Sequence, residues 1–466
     1  GTLSAPTRMF ATKHKLKQTK ERVARLRREG QEIYTDDELE REGLLTEQLL
    51  PRNRTLQPST LPSGSWLLGA CDAEFVKGRP TFVDLLVVCE EPLDPGRLVA
   101  ALQSVLDTGF GCVAGRRHES AVEPTGGLRF SHVRAATIAT GFGGAPTLFD
   151  SPPRRPAGEP TEMLTVRLTT APLHCPTQSS LGIVWDHAMC DVGGIALLLA
   201  HVSACYAARP SPPPPHHDRS RQRASVAARP VETRGSAEGG EPSKPSEPSE
   251  PSEPALRGDS ATPAPAAALR EGDHRRRGVG VVVEWASSGD ELQLLKAEAA
   301  ARTRHEALFA EALCLLREAG LSITTVSISR DDRARVGLPA EHFGNGTLIT
   351  TATLPPPPAS RAAVAAALRA AIEGGGAVTQ LTSAADVHLT SWWHPLQRDL
   401  SFGCAAPPAL AMGPATLGVC CRLCGRQGQA NLTVLPCAEQ PGGLTVSLRA
   451  PRDVAERVAA AVLRRR

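Results

Sequence analysis

A chain whose middle cannot fold must build its cores on either side of it. Residues 209–277 hold 13 of the 40 prolines, in runs such as SPPPPHHDRSRQR and the near-repeat EPSKPSEPSEPSEP. Proline lacks a backbone donor, and a Ser/Glu-rich context buries too little apolar surface to offset the entropy of ordering. The segment reads as a disordered Pro/Ser/Glu-rich linker that samples extended conformations. His216 and His217 within it read as solvated linker residues rather than metal ligands. Two folded halves follow, at 60–208 and 278–466, behind a charged N-terminal extension at 1–59. The Lys/Arg-rich start of that extension runs straight into TDDELERE, acids that a transit peptide avoids, so it reads as a solvated charged helix.

Each half alternates strand and helix. In the first, TFVDLLVVCE has the run of a buried strand, and DPGRLVAALQSVLDTG places Leu98, Leu102, Val105 and Leu106 on one helical face. QSSLGIVWDHAM alternates Leu181, Ile183, Trp185 and His187, and GGIALLLAHVSACYAA carries a helical stripe of Ile195, Leu198, Leu199 and Val202. The second half repeats the theme. GVGVVVEWA reads as a strand, SSGDELQLLKAEAA as a helix opened by a Ser288/Glu291 capping box, and HEALFAEALCLLREAG as a helix ending at Gly320. Strand-like LSITTVSISR, an Ala-rich helix at 360–372, strand-like GLTVSLRA and a last helix after Pro451 complete it. The fold class is α/β (α+β): two similar domains, each with a mixed sheet, and a ligand channel between them.

Composition narrows the function. A net charge of +3 over 466 residues gives no nucleic-acid footprint. The longest apolar helix candidate falls short of the roughly 20 residues that span a bilayer. The 12 cysteines sit mostly in apolar stretches without framework spacing, which fits a reducing, cytoplasmic setting. Cys421 and Cys424 have CxxC spacing, but a zinc site needs two more ligands, for which Cys437 and Cys404 are the only nearby candidates, so no metal is expected. Asn-x-Thr sequons at Asn53, Asn345 and Asn431 are expected by chance, and phosphate-cradling or dinucleotide fingerprints are absent.

The chemistry concentrates in IVWDHAMCDVGG, residues 183–194. A neutral imidazole at a strand end, His187, suits general-base work near pH 7. Asp191 can shape the following turn by bonding local backbone groups or by pairing with a distant Arg.

This His-x-x-x-Asp at a strand end before an amphipathic helix resembles the HxxxDG motif of the chloramphenicol-acetyltransferase-like superfamily. LTSWWHPLQRDLSFGCAAP resembles, without a gap, the TSW and DFGWGxP blocks of the plant-type BAHD acyltransferases. RDDRARVGLPAEHFGNG (330–346) is similar to that family's RxR, Pro and FGN segment, and GCVAGRR (111–117) to its AGR segment. The resemblance spans roughly residues 60–460. It implies a cytoplasmic, monomeric, hydroxycinnamoyltransferase-like enzyme of secondary metabolism. Such an enzyme moves an acyl group from acyl-CoA to a small-molecule alcohol or amine, with no cofactor beyond the co-substrate and no metal. His187 is then the general base and Asp191 its structural orienter. A peptide-bond-forming condensation domain is disfavoured, because Asp186 stands where those domains carry a second His.

Departures from the family pattern carry expectations too. The motif block here is Ser401, Phe402, Gly403, Cys404, Ala405, Ala406 and Pro407. Its usual Asp, held to pair with the RxR arginine, is Ser401, so Arg333 or Arg335 loses that partner, and Asp399 or Asp332 can substitute. Cys404 replaces a Trp whose indole N–H orients substrate or stabilises the thioester oxygen. Val192 replaces a Gly, and a β-branched residue resists positive φ, so the turn needs a different backbone or uses Gly193. His394 replaces the Arg found with acidic acceptors, and Trp393 offers an aromatic wall or a core contact. These departures keep open the alternative of a catalytically lapsed fold serving as a binding or scaffold protein.

Overall fold

The computed structural model describes residues 52–60, 66–68, 72, 81–118, 121–123, 126–134, 148–150, 160–170, 178–219, 268–270, 281–374, 385–412, 430–437, 440 and 442–465. In the first half, β1 (Arg52–Leu56), β2 (Trp66–Leu67) and β3 (Phe82–Cys89) precede helix α1 (Pro95–Val105). Then come β4 (Arg116–His118), β5 (Ala121–Glu123), β6 (Leu128–Arg134), β7 (Thr161–Glu162), β8 (Leu164–Thr170), β9 (Ser179–Asp186) and α2 (Val192–Tyr206). The second half runs β10 (Ala268–Arg270), β11 (Val281–Ser287), α3 (Gly289–Glu298), α4 (Arg304–Glu318), β12 (Thr325–Asp331), β13 (Thr347–Thr353) and α5 (Arg361–Glu373). It ends with β14 (Val387–Ser391), β15 (Ala409–Met412), β16 (Ala430–Pro436), β17 (Leu444–Ala450) and α6 (Arg452–Arg465).

Local chemistry sets the helix ends. The Asp94 carboxylate accepts from the Arg97 amide at 2.7 Å, with Pro95 in the first turn, where its missing N–H costs nothing. Both halves of the Ser288/Glu291 capping box form, and α4 ends at Glu318 with Ala319 as its C-cap, followed by Gly320 at φ +88°. The α1 stripe of Leu98, Leu102 and Val105 is buried. Helix α2 is buried nearly all round, so its four-residue stripe understates its contacts.

The first sheet has the order β1-β6-β8-β9-β3-β15, the second β10-β11-β17-β16-β14-β12-β13, and a small sheet β2-β5-β4-β7 flanks the first. Strand β9 is buried along its whole length. Leu181, Ile183 and Trp185 enter the core shared with α1 and α2, while Val184 faces Leu86, Val88, Leu148 and Phe149. A Cβ at Gly182 would run into the Leu148 carbonyl oxygen, so only glycine lets that backbone approach. The halves are interlocked, because β15 leaves the second to pair with β3 of the first, Ala409 opposite Val88.

Two expected boundaries move. Arg52–Leu56 is an edge strand paired to β6, so the first domain begins inside the expected 1–59 extension. Residues 209–219 lie against the body as a strap instead of joining a disordered linker. The His216 amide donates to the Glu341 carbonyl and the Phe343 amide to the His216 carbonyl, both at 2.9 Å, and His217 Nε2 donates to Gly109 O at 2.6 Å. Prolines fit such a strap, since it presents few donors to bury. Strand β10 also falls within the expected linker and pairs with β11. Residues 1–51, 220–267 and 271–280 lie outside the described residues, as do Cys421 and Cys424.

Candidate active site

A cleft of about 810 Å³ opens between the halves. Its first-half wall is His187, Asp191, Val192 and Gly193. The second half supplies Ser329, Arg330, Arg333 and Thr347 from β12, β13 and their connection, the run Thr390–Pro395 from the end of β14 onward, and His305 from α4.

His187 is held by its backbone on every side. Its amide donates to Thr81 O at 2.7 Å, and its carbonyl accepts from Asn345 Nδ2 at 2.9 Å. Before it, the Asp186 carboxylate is buried against Arg117, with Nε–Oδ2 at 2.7 Å, and accepts from the Ala188 amide at 3.1 Å. After it, the Met189 carbonyl accepts from Arg219 Nη2 at 2.7 Å and the Cys190 carbonyl from Trp185 Nε1 at 3.0 Å. Each carbonyl of a tight buried turn needs such a donor. Asn345 and Arg219 both also bond the buried Asp72, so first half, strap and second half meet beneath the turn. Burial lowers the pKa of the His187 ring below the ordinary imidazole value, which keeps it neutral and basic near pH 7.

Asp191 caps α2 and does far more. Oδ1 accepts from the Gly194 amide at 3.0 Å and from Arg333 Nη2 at 2.6 Å. Oδ2 accepts from the Gly346 amide at 2.9 Å and from Thr347 Oγ1 at 2.8 Å. Both alternatives raised by the sequence, local backbone and a distant Arg, are realised together. Although burial opposes ionisation, the Arg333 charge and these donors hold the carboxyl well below the usual carboxylate range. With both oxygens fully engaged, its acceptor capacity goes to the fold and none is directed at the imidazole.

Arg333 therefore has not lost its partner. It pairs with Asp191 of the first half and, at 3.0 Å, with Asp331. Arg335 lies near Asp332 at 3.7 Å and donates to Ile372 O, whereas Asp399 pairs with Arg209. The expected difficulty at Val192 is also absent. Val192 is the first residue of α2 and takes no positive φ. The glycine after it is needed for space, since a Cβ on Gly193 would sit 2.9 Å from Arg333 Nη1.

Trp393 and His394 line the cleft, and Trp393 also packs on the His305 ring at 5.1 Å. Cys404 does not join them. It packs against the first-half core. The block around it grips the far end of α2. The Phe402 amide donates to Ser203 Oγ at 2.9 Å, its ring meets Tyr206 at 6.0 Å, and Gly403, at φ +80°, sits close to Ala207. Ser401 Oγ accepts from the Gly403 amide at 3.3 Å, and Pro407 is exposed ahead of β15. A 15-residue helix is about 22 Å long, which separates this block from the His187 end. Asn345 belongs to the FGN segment singled out in the sequence, without its role there being read, while Asp72, Arg219, Ser329 and His305 carried no signal. Among the described residues no group of three His, Cys, Asp or Glu side chains is placed to hold a metal.

Neither a protein-family model nor a curated protein sequence matches the chain. Solved structures do. Vinorine synthase superposes with a TM-score of 0.61 at 16% identity, covering 87% of this chain and 95% of its own. The fold is chloramphenicol-acetyltransferase-like. TRI101 of F. sporotrichioides complexed with coenzyme A and T-2 matches at TM-score 0.53 and 14% identity, over 85% of this chain and 97% of that one. The first condensation domain of the CDA synthetase matches at 0.50 and 15% over the same shares. The two-domain architecture expected from the motif resemblance is the one found. Among the described residues no helix is long and apolar enough to cross a membrane.

Proposed function

We propose that the chain is an acyltransferase that moves an acyl group from acyl-CoA to a hydroxyl or amine, with His187 as general base. The observation that carries this reading is the neutral imidazole on the cleft wall, its turn pinned from both halves. His187 takes the proton from the acceptor as its oxygen or nitrogen attacks the thioester carbonyl. The tetrahedral intermediate collapses and expels the CoA thiolate, which receives that proton from His187. Asp191 and Arg333 hold the turn and take no proton. Trp393 and His394 flank the acceptor, with an indole and an imidazole where a guanidinium would favour an acidic acceptor. Complexes of fold neighbours with coenzyme A and deoxynivalenol or T-2 support a cleft that holds a CoA thioester and a small acceptor together.

The test is a panel of acyl-CoAs against alcohols and amines, followed by free-thiol release and by mass of the acylated product. Acceptor-dependent thiol release matched by a product of the right mass is expected for at least one pair. Tight CoA binding with no product from any pair would favour the binding-protein alternative.

A further inference from the structure

The second sheet is apolar toward its helices and polar on the other face. Strands β12 and β14 run parallel in the register Ser327 opposite His388 and Ile328 opposite Leu389. Val326, Ile328, Val387 and Leu389 therefore enter the core, while Ser327, Ser329 and His388 share the opposite face. There the His388 ring stands between two hydroxyls. Ser327 Oγ is 2.8 Å from Nδ1, and Ser329 Oγ is 3.0 Å from Nε2. Ser327 and His388 are buried, whereas Ser329 is half-buried and lines the cleft.

The direction of this chain of bonds follows from its buried end. Burial pushes His388 down to about 4, so the ring is neutral at physiological pH, with one N–H and one lone pair. Ser327 has no other hydrogen-bond acceptor among the described residues. If Nδ1 carried the proton, the Ser327 hydroxyl hydrogen would be stranded, which buried donors avoid. Ser327 therefore donates to Nδ1, and the Nε2–H donates to Ser329 Oγ. The Ser329 proton is left for whatever fills the cleft.

Ser329 thus brings an uncommitted proton to the cleft wall. The indole N–H of the family motif is replaced by Cys404, which lies away from the cleft, and the Thr347 hydroxyl is committed to Asp191. We propose that Ser329 donates a hydrogen bond to the carbonyl oxygen of the acyl thioester, its proton aimed there by His388 and Ser327. The bond strengthens as negative charge builds on that oxygen during attack. Ser329 is thus a substrate-contacting residue, and His388 and Ser327 are positioning residues. The proposal rests on the acyl-CoA reading given above.

Calorimetric titration with acetyl-CoA and with S-ethyl-CoA, a thioether lacking only the carbonyl oxygen, tests it without turnover. Wild type is expected to bind acetyl-CoA about 3- to 10-fold more tightly, the range of one neutral hydrogen bond. Ser329→Ala should bind both equally, with its ethyl-CoA affinity unchanged. Ser327→Ala, which frees the ring to take the other tautomer, should lose most of the preference while melting at the wild-type temperature. A purely structural role would shift both ligands together, and that result overturns the proposal. So does a preference undiminished in Ser329→Ala, which leaves the acyl-CoA reading standing. Failure of the wild type to bind either ligand overturns that reading, and this proposal with it.

Discussion

Arg333 Nη2 lies 2.6 Å from Asp191 Oδ1, joining the loop after β12 to the N-cap of α2 across the two halves. Both side chains are buried, so the attraction is little screened, but each charge has lost its hydration. Removing one partner strands the other. Arg333→Met or Asp191→Asn is expected to cost about 3–5 kcal/mol, and the double variant less than the sum of the two. A urea-unfolding double-mutant cycle measures this, and additive losses would show that the pair does not couple.

Gly193→Ala sets helix propensity against space. Alanine in a helix gains about 1 kcal/mol over glycine. Its Cβ, however, would press on Arg333 Nη1 at 2.9 Å, and that guanidinium has little freedom to give way. The clash wins, so the variant should be less stable than wild type and lose roughly tenfold or more in kcat/KM, as a displaced catalytic turn does. A variant more stable than wild type would show that Arg333 moves freely.

A Trp at position 404, as in the motif that this block resembles, should gain nothing. Cys404 packs on the first-half core beside Cys89 and lies away from the cleft. Cys404→Trp is therefore expected to overpack that contact and cost about 1–3 kcal/mol, without raising the rate of acyl transfer. Unfolding and steady-state rates of the same preparation decide it.

Acid should weaken the fold before the carboxylates titrate. Burial holds His305 and His388 at about 4 and His342 at about 3. An unfolded histidine titrates near 6.5. Between pH 6.5 and 4 the unfolded chain thus takes up protons that the folded chain refuses, and stability falls as pH falls. Asp191, held well below the usual carboxylate range, adds its loss only below about pH 4. The urea midpoint measured from pH 8 to 4 should decline below 6.5, and a flat profile down to pH 5 would contradict these burials.

What the sequence made legible was local. The Ser288/Glu291 box, the α1 stripe and the stop at Gly320 are written in adjacent residues, and each appears in the structure. The HxxxD spacing and the order of the weak motifs carried the fold, although no single match was specific. The partner of Asp191 was not legible, because Arg333 is 142 positions away and reaches it only once the halves have closed. Asn345 was legible as the Asn of the FGN segment, but its role was not, since nothing local says that its amide will bond a carbonyl 158 positions earlier. Pro-rich composition concealed the strap for a related reason. Residues 209–219 bury little by themselves, yet His216 and His217 bond backbone that the body supplies. Val192 looked diagnostic only under a turn geometry that the chain does not adopt.

The most direct measurement is the pH dependence of acceptor-driven CoA release by wild type and by a folded His187→Ala variant. Wild-type kcat/KM should fall on the acid side with an inflection below the usual histidine range, because burial lowers the His187 pKa. The variant should lose about two to four orders of magnitude, the contribution of a positioned general base, and with it that inflection. Equal rates and the same profile in both proteins would contradict the assignment of His187 as the base.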